Sequence, residues 1–335
     1  MSARVRTGVI GAGELGQHHI RILRDLPGAD FAGFFESRPE RAAQLSQALG
    51  VRAFASLDAL LDVVDAVTIV VPTRLHFVVA EQVLARGIHA LIEKPIAATL
   101  DEADAMLRLA KEHGALIQTG HVERFNRAIR AALPYVDVPR FIESNRLAPF
   151  NPRGADVAVV LDLMIHDIDL VHTLVGGRAA AVTAVGVPVL TPFVDIANAR
   201  LTFDSGAVAN ITASRVSRER MRKVRIFQQS GYLSLDLGAG SGEFFRLRGD
   251  VDIAALATAP LALEQFVERM PLEAEEGEPL RLEFESFLAA VRGEAPVAVT
   301  GEAGREALAV ALRIVAEIER TMPSLVGGAQ LFSRA

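Results

Sequence analysis

Cysteine is absent from the 335-residue chain, which excludes disulfides, thiolate metal sites and a cysteine nucleophile. Also missing is any apolar stretch near the ~20 residues that a bilayer-spanning helix needs, and the N-terminus leads straight into a strand-like run. A soluble, cytoplasmic protein with no membrane partner is therefore expected. Basic charge is not in excess: the formal net charge is −6, so no global field favours nucleic acid or an anionic surface. Internal repeats and low-complexity tracts are lacking, and the acidic stretch from Glu273 to Glu278 reads as a solvated loop. What is present is 50% hydrophobic content, enough at this length for two domains with proper cores.

The first 120 residues alternate short strand-like runs with amphipathic helical stretches, the βαβ pattern of a parallel sheet. Strands are expected at Val5 to Ile10, Ala29 to Phe35, Ala66 to Val71, His89 to Ile92 and Leu116 to Thr119. Helices are expected at Glu14 to about Asp25, Pro39 to Leu49, His76 to Arg86, and from a capping box at Thr99-Leu100-Asp101-Glu102 to His113. Gly50, Gly87 and Gly114 stand where helix stops are wanted.

Directly after the first strand comes Gly11-Ala12-Gly13-Glu14-Leu15-Gly16, a dinucleotide fingerprint in the context it requires. Gly11 permits the tight turn, Gly13 lets a pyrophosphate approach the backbone, and Gly16 allows close packing of helix on strand. The phosphates then meet free N–H groups of the first helical turn, beside Glu14 and Leu15. About 20 residues beyond Gly16, Glu36 ends the second strand and can accept hydrogen bonds from an adenosine ribose. This favours NAD, although Arg38 can instead hold a 2′-phosphate, so NADP stays open. Pro72, Thr73 and His76 are expected to line the cofactor from the other side of the crevice; a plain βα loop with an N-capping Thr is the alternative. Glu93-Lys94-Pro95 follows a buried strand, which delivers a lysine to the carboxyl end of the sheet, where ligands of such folds bind. Pro95 constrains that turn, with either peptide isomer open.

From residue 121 the texture changes. Strand-like stretches cluster at Arg140 to Leu147, Ala181 to Leu190, Ala197 to Phe203, Ala207 to Ser214, Val224 to Gln229 and Tyr232 to Leu237, with turns at Asp204-Ser205-Gly206 and Ser230-Gly231. Helices are expected at Val157 to Val175, Leu280 to Val291 and Glu302 to Thr321. The fold class is thus α/β, an N-terminal Rossmann domain over residues 1–120 and a C-terminal α+β domain over 121–335 with a large, mostly antiparallel open sheet.

Asp162 and His166 share one face of the expected helix at i, i+4 spacing. A carboxylate one turn from an imidazole suits proton transfer. A structural helix pair and a metal site are the other readings, and the latter lacks a third ligand at fixed spacing, since Asp167 and Asp169 point to other faces. No metal is expected.

Taken in order, these pieces resemble the Gfo/Idh/MocA family of glucose-fructose oxidoreductase and inositol dehydrogenase relatives over nearly the whole chain. The resemblance is carried by the fingerprint with His19, the proline loop with His76, Glu93-Lys94-Pro95, His121 to Asn126, Asp162 with His166, and Val299-Thr300-Gly301-Glu302. It implies an NAD-dependent enzyme that oxidises a secondary alcohol, with Lys94, Asp162 and His166 as catalytic trio and an open sheet that makes a homodimer or homotetramer. Thr73 departs from the asparagine common among relatives. Segments 120–126, 146–150, 161–170 and 213–218 are similar to the nucleotide-sugar branch, the bacterial UDP-N-acetylglucosamine 3-dehydrogenases of lipid A diamino-sugar synthesis. That resemblance implies oxidation at C3 of the sugar, with His121, Arg124, Asn126, Arg146 and Arg153 as substrate-binding residues. Arg215 is a further available cation, and solvated surface arginines are the alternative for each. Dehydrogenation of a free sugar, inositol or other polyol, and a non-catalytic NAD-sensing regulator, are the rival functions.

Overall fold

The computed structural model describes residues 4–152, 154, 157–249 and 266–322. The chain forms two compact units. The first runs to Val122 and takes in Gly277–Ala309; the second comprises Glu123–Glu276 and the chain from Val310. The expected boundary thus needs one correction, because the segment from Gly277 to Ala309 returns to the first unit.

In the first unit the strands β1 (Val5–Ile10), β2 (Ala29–Phe35), β3 (Ala66–Ile69), β4 (His89–Glu93) and β5 (Ile117–Gly120) form a parallel sheet in the order β2-β1-β3-β4-β5. All residues of β3 and β5 are buried, as expected of a parallel sheet covered on both faces. The helices between them are α1 (Glu14–Asp25), α2 (Pro39–Leu49), the short α3 (Leu57–Leu61), α4 (His76–Leu84) and α5 (Leu100–His113). The capping box at the start of α5 is realised: Thr99 Oγ1 accepts the Glu102 N–H at 3.2 Å and Glu102 Oε2 accepts the Thr99 N–H at 3.2 Å. Helix α3 was not anticipated. It is too short to show a helical period and depends on Ser56, whose Oγ caps the Ala59 N–H.

The returning segment explains the corrected boundary. Phe284, Phe287 and Leu288 are buried in one core cluster with Ile20, Leu23 and Phe34, an apolar surface that the βαβ pattern alone left unpartnered. Gln118 forms a bridge with Thr300, and the Thr119 N–H donates to Val299 O at 2.9 Å. At Gly304 an added Cβ would lie 2.2 Å from Thr119 Oγ1, so a glycine is what lets this stretch lie against β5.

In the second unit α6 (Arg127–Ala132) leads into an eight-stranded sheet of β6 (Phe141–Leu147), β7 (Ala179–Val187), β8 (Ile196–Phe203), β9 (Val208–Ser214), β10 (Met221–Gln228), β11 (Gly231–Asp236), β12 (Ser241–Leu247) and β13 (Val267–Leu272). The order is β13-β12-β11-β10-β6-β9-β8-β7, antiparallel throughout except for the parallel pair β6–β9. Strands β12 and β13 were not anticipated: a charged alternation hides the first, and Pro271 is tolerated in the second because it lies at the sheet edge. Alternate residues face inward, among them Ile142, Leu201, Ile211, Val224 and Leu233. On the other face Phe141, Phe227, Tyr232 and Phe245 form a half-exposed row across four strands, with ring centroids 5.6, 4.8 and 5.4 Å apart. Helix α7 (Ile165–Val175) packs on β6 and β9, while α8 (Pro279–Val291) and the first part of α9 (Gly301–Thr321) belong to the first unit. Among the described residues, no helix is long and apolar enough to cross a membrane.

Candidate functional site

The β1–α1 turn is built as a dinucleotide cradle. Gly11 has φ +92°, and a Cβ there would sit 2.4 Å from Val70 O. At Gly16 a Cβ would meet Gly11 O at 2.1 Å, whereas at Gly13 it would meet nothing within 4 Å. The outer glycines are therefore demanded by the fold, and the middle one leaves room above the backbone. Gly13 is also the N-cap of α1 and offers no side-chain cap, so the N–H groups of the first turn keep their affinity for an anion. Glu14 is exposed and Leu15 half-buried at that turn.

Glu36, at the end of β2, is buried. Its carboxylate accepts the Ala12 N–H at 3.2 Å, the Arg38 N–H at 3.3 Å and Arg38 Nε at 2.9 Å, while Arg41 Nε lies 3.9 Å away. Burial opposes its ionisation, but Arg38 and these N–H donors outweigh burial and hold the carboxyl below the usual range. The acid thus stays ionised and occupies the guanidinium that a 2′-phosphate would require. These residues fit NAD.

Pro72 and Thr73 open a 3₁₀ turn, Thr73–Leu75, with Pro72 exposed and Thr73 half-buried. His76 departs from the expectation. Its ring is 1% exposed, with Nε2 2.9 Å from Val71 O and Nδ1 2.9 Å from Pro95 O. Burial pushes its pKa down, and a neutral ring has one N–H for these two carbonyls. Both nitrogens face backbone carbonyls, only one of which the single N–H can serve, and the ring is buried between these loops rather than exposed to a cofactor.

The strand β4 delivers Glu93 and Lys94 into a turn whose Lys94–Pro95 peptide is cis. Glu93 is buried; its Oε1 lies 3.2 Å from His19 Nε2, and its Oε2 accepts the Lys94 N–H at 3.3 Å. The His19 ring N–H is not aimed straight at the oxygen, which makes the contact electrostatic more than a linear hydrogen bond. Burial opposes the Glu93 charge, but His19 and Lys94 prevail and keep it ionised. His121, just past β5, is fully buried, so its ring is not displayed for a substrate.

In the second unit Asp162 lies in a π-helical turn, Val160–Met164, that runs into α7. Ile165 donates its N–H to Val160 O, one residue wider than an α-turn, a local widening that often accompanies a functional site. His166 follows in the first turn of α7, and both side chains are half-buried. Gly154, with φ +76°, crosses so near that an added Cβ would stand 2.6 Å from Asp162 Oδ2.

Three of the expected substrate ligands are engaged elsewhere. Arg146 is buried and donates from Nε to Asp167 Oδ2 at 2.6 Å and from Nη1 to Glu123 Oε1 at 2.7 Å. Burial disfavours its charge, but Asp167 and Glu123 more than restore it. Arg124 is bidentate to Asp169 at 2.8 and 2.6 Å. Asn126 caps α6 through Ala128 N and donates to Glu123 and Leu237 O. These groups anchor α7 and the turn Val122–Phe125 before α6, because a buried carboxylate must find a partner before any ligand does. Arg153 lies outside the described residues. Arg215 is likewise buried, donating to Asp195 Oδ1 at 2.7 Å and to the carbonyls of Gly154 and Val157 at 2.5 and 2.7 Å. Ser144 and Arg146 at alternate positions of β6, both facing inward, were the available sign of a buried ion pair. Their acidic partners were not identifiable from spacing.

A parallel sheet with this phosphate cradle and an ionised acid at the end of β2 defines the first unit as an NAD-binding Rossmann domain. Residues 5–121 match the oxidoreductase family GFO_IDH_MocA, NAD-binding Rossmann fold, and residues 138–234 match the GFO/IDH/MocA C-terminal domain. The chain belongs to the Gfo/Idh/MocA family of NAD-dependent dehydrogenases. It is 41% identical over 316 residues to the UDP-N-acetylglucosamine 3-dehydrogenase of Acidithiobacillus ferrooxidans, covering 94% of this chain and 97% of that one. A solved structure of that dehydrogenase shares 40% identity at a TM-score of 0.86, over 95% of this chain and 98% of that one. The scyllo-inositol 2-dehydrogenase (NAD(+)) of Bacillus subtilis is 30% identical over 242 residues, 65% of this chain and 69% of the other.

Proposed function

We propose that this dehydrogenase oxidises the C3 hydroxyl of UDP-N-acetylglucosamine to a ketone. The 41% identity to a UDP-N-acetylglucosamine 3-dehydrogenase carries this reading, since it extends over 94% of the chain. Bound NAD supplies the hydride acceptor. His166 takes the hydroxyl proton, Asp162 orients the imidazole and stabilises its charged form, and Lys94 stabilises the developing alkoxide. In the reverse direction His166 donates the proton. Because Arg124, Arg146 and Arg215 are engaged by buried acids, the substrate diphosphate is assigned to Arg218 and Arg220, which are exposed and make no ion pair among the described residues. A 3-keto nucleotide sugar suits a following amination, as in lipid A diamino-sugar synthesis, and on this reading the enzyme works in the cytoplasm. The half-exposed aromatic row of the sheet and the exposed Val185 and Val187 of edge strand β7 support self-association of the chain through this sheet.

The test is reduced-nicotinamide absorbance when protein and NAD receive UDP-N-acetylglucosamine, with a carbonyl trap to draw the equilibrium forward. Absorbance should rise, and its rate should fall steeply, to a small residual, in Lys94→Ala and in His166→Ala. Survival of the rate in the double variant would sink the assigned roles. The engagement of three arginines favours a second reading, oxidation of an uncharged polyol, which predicts turnover of free inositols and none of the nucleotide sugar.

A further inference from the structure

Two buried histidines that the chemistry above does not use converge on one turn. His19 on α1 is 0% exposed, and its ring meets Phe284 edge-on at 5.0 Å while Nε2 reaches Glu93 Oε1. His76 opens α4 and reaches across to the same turn, with Nδ1 2.9 Å from Pro95 O and 3.3 Å from Ile96 O. Between these contacts stands Lys94, whose own N–H is held by Glu93. Gly120 on β5 completes the enclosure: a Cβ there would press to 3.0 Å on the Glu93 carboxyl carbon. Packing alone does not account for the two rings. An apolar ring would fill either position without the desolvation cost of burying imidazole nitrogens, so the value of these residues lies in the His76 N–H directed at a backbone carbonyl and in the electrostatic contact of His19 Nε2 with the Glu93 carboxylate at 3.2 Å.

We propose that His19 and His76 are positioning residues for Lys94, gripping the turn Glu93 to Ile96 from two sides so that the ammonium is delivered at a fixed place. The proposal rests on the reading of Lys94 as the group that stabilises the alkoxide. His76 acts with its single N–H on Nδ1, donated to the Pro95 carbonyl, while Nε2 only lies against the Val71 carbonyl. His19 acts through the Glu93 carboxylate. A misplacement of about 1 Å in a reacting constellation costs roughly 10²-fold in rate, and this sets the scale of the effect.

The test compares His76→Phe, His76→Asn, His76→Gln, His19→Leu and His19→Gln, each also combined with Lys94→Ala, measuring kcat, KM for both substrates and NAD affinity by calorimetry. His76→Phe and His19→Leu should lower kcat by about 10- to 100-fold while leaving NAD affinity within about threefold. Asn, whose amide can stand where Nδ1 stood, should restore rate at position 76 better than Gln; Gln should restore it at position 19, where Nε2 makes the contact. In the Lys94→Ala background none of these changes should lower the residual rate further, because a positioning residue acts only through the group it positions. Equal losses on top of an impaired Lys94→Ala, or Gln matching Asn at position 76, would overturn the inference and leave the role of Lys94 standing. A full rate in Lys94→Ala alone would overturn both. If His76→Phe does not fold, the contrast between Asn and Gln still decides.

Discussion

Replacing Arg146 by methionine separates a structural cation from a substrate cation. The guanidinium is 4% exposed and makes charge-assisted bonds at 2.6 and 3.3 Å to Asp167 and at 2.7 Å to Glu123. Methionine fills much of the same volume but donates nothing. Asp167 would be left with the Ser144 hydroxyl at 2.8 Å, and Glu123 with Asn126 Nδ2 at 3.0 Å and Arg222 at 3.5 Å. Removing one partner of a buried pair costs about 3–5 kcal/mol, because the remaining charge stays in a poor solvent. For a unit of this size that cost lowers the melting temperature by about 6–20 °C. The assay is thermal unfolding by circular dichroism, together with KM for the nucleotide sugar at a temperature where the variant is folded. Arg146→Met combined with Asp167→Asn and Glu123→Gln should recover part of the loss, since both uncompensated charges are then gone. A melting temperature unchanged in Arg146→Met, with a KM raised tenfold or more, would refute the assignment and return Arg146 to the substrate.

Glu36→Ser should weaken NAD binding by about 10- to 150-fold, the worth of a hydrogen bond to a charged group, and should narrow the preference over NADP because Arg38 and Arg41 lose their acid; calorimetry with both cofactors checks it. Since the folded Glu36 carboxyl titrates below its ordinary range, the contribution of its pairing with Arg38 is present above that range and is lost as pH falls through the depressed value. NAD affinity should accordingly be flat from neutral to mildly acidic pH in the wild type, and a fall in affinity already near pH 6 would contradict this. Gly154→Ala combines an unfavourable φ of +76° with a 2.6 Å approach to Asp162 Oδ2, so kcat should fall by at least tenfold while NAD affinity is unchanged. Steady-state kinetics with cofactor titration tests the split.

Local periodicity and turn chemistry were enough to specify much of this protein. The βαβ alternation, Gly11, Gly13 and Gly16 after an apolar strand, the Thr99–Glu102 capping box, and Glu36 at the end of β2 each act over a few residues, and the structure places each where its spacing requires. A strand–turn–helix fingerprint states its own geometry because the neighbours it needs are adjacent in sequence. Elements β12 and α3 escaped because their signals are short, and the π turn at Asp162 escaped because a 3.6-residue period does not register one wider turn.

Tertiary structure decided the partners of the charged groups. Nothing in spacing announces that Arg146 faces Glu123 and Asp167, that Arg124 faces Asp169, or that Arg215 reaches Asp195, since each pair joins distant residues through a fold that had to exist first. A free arginine and a buried one read identically in sequence, and desolvation alone separates a ligand-binding cation from a structural one. The same holds for the segment from Gly277 to Ala309. Its apolar residues are plain in the sequence, but only the cluster of Phe284 and Phe287 with Ile20 and Phe34 determines which core they complete.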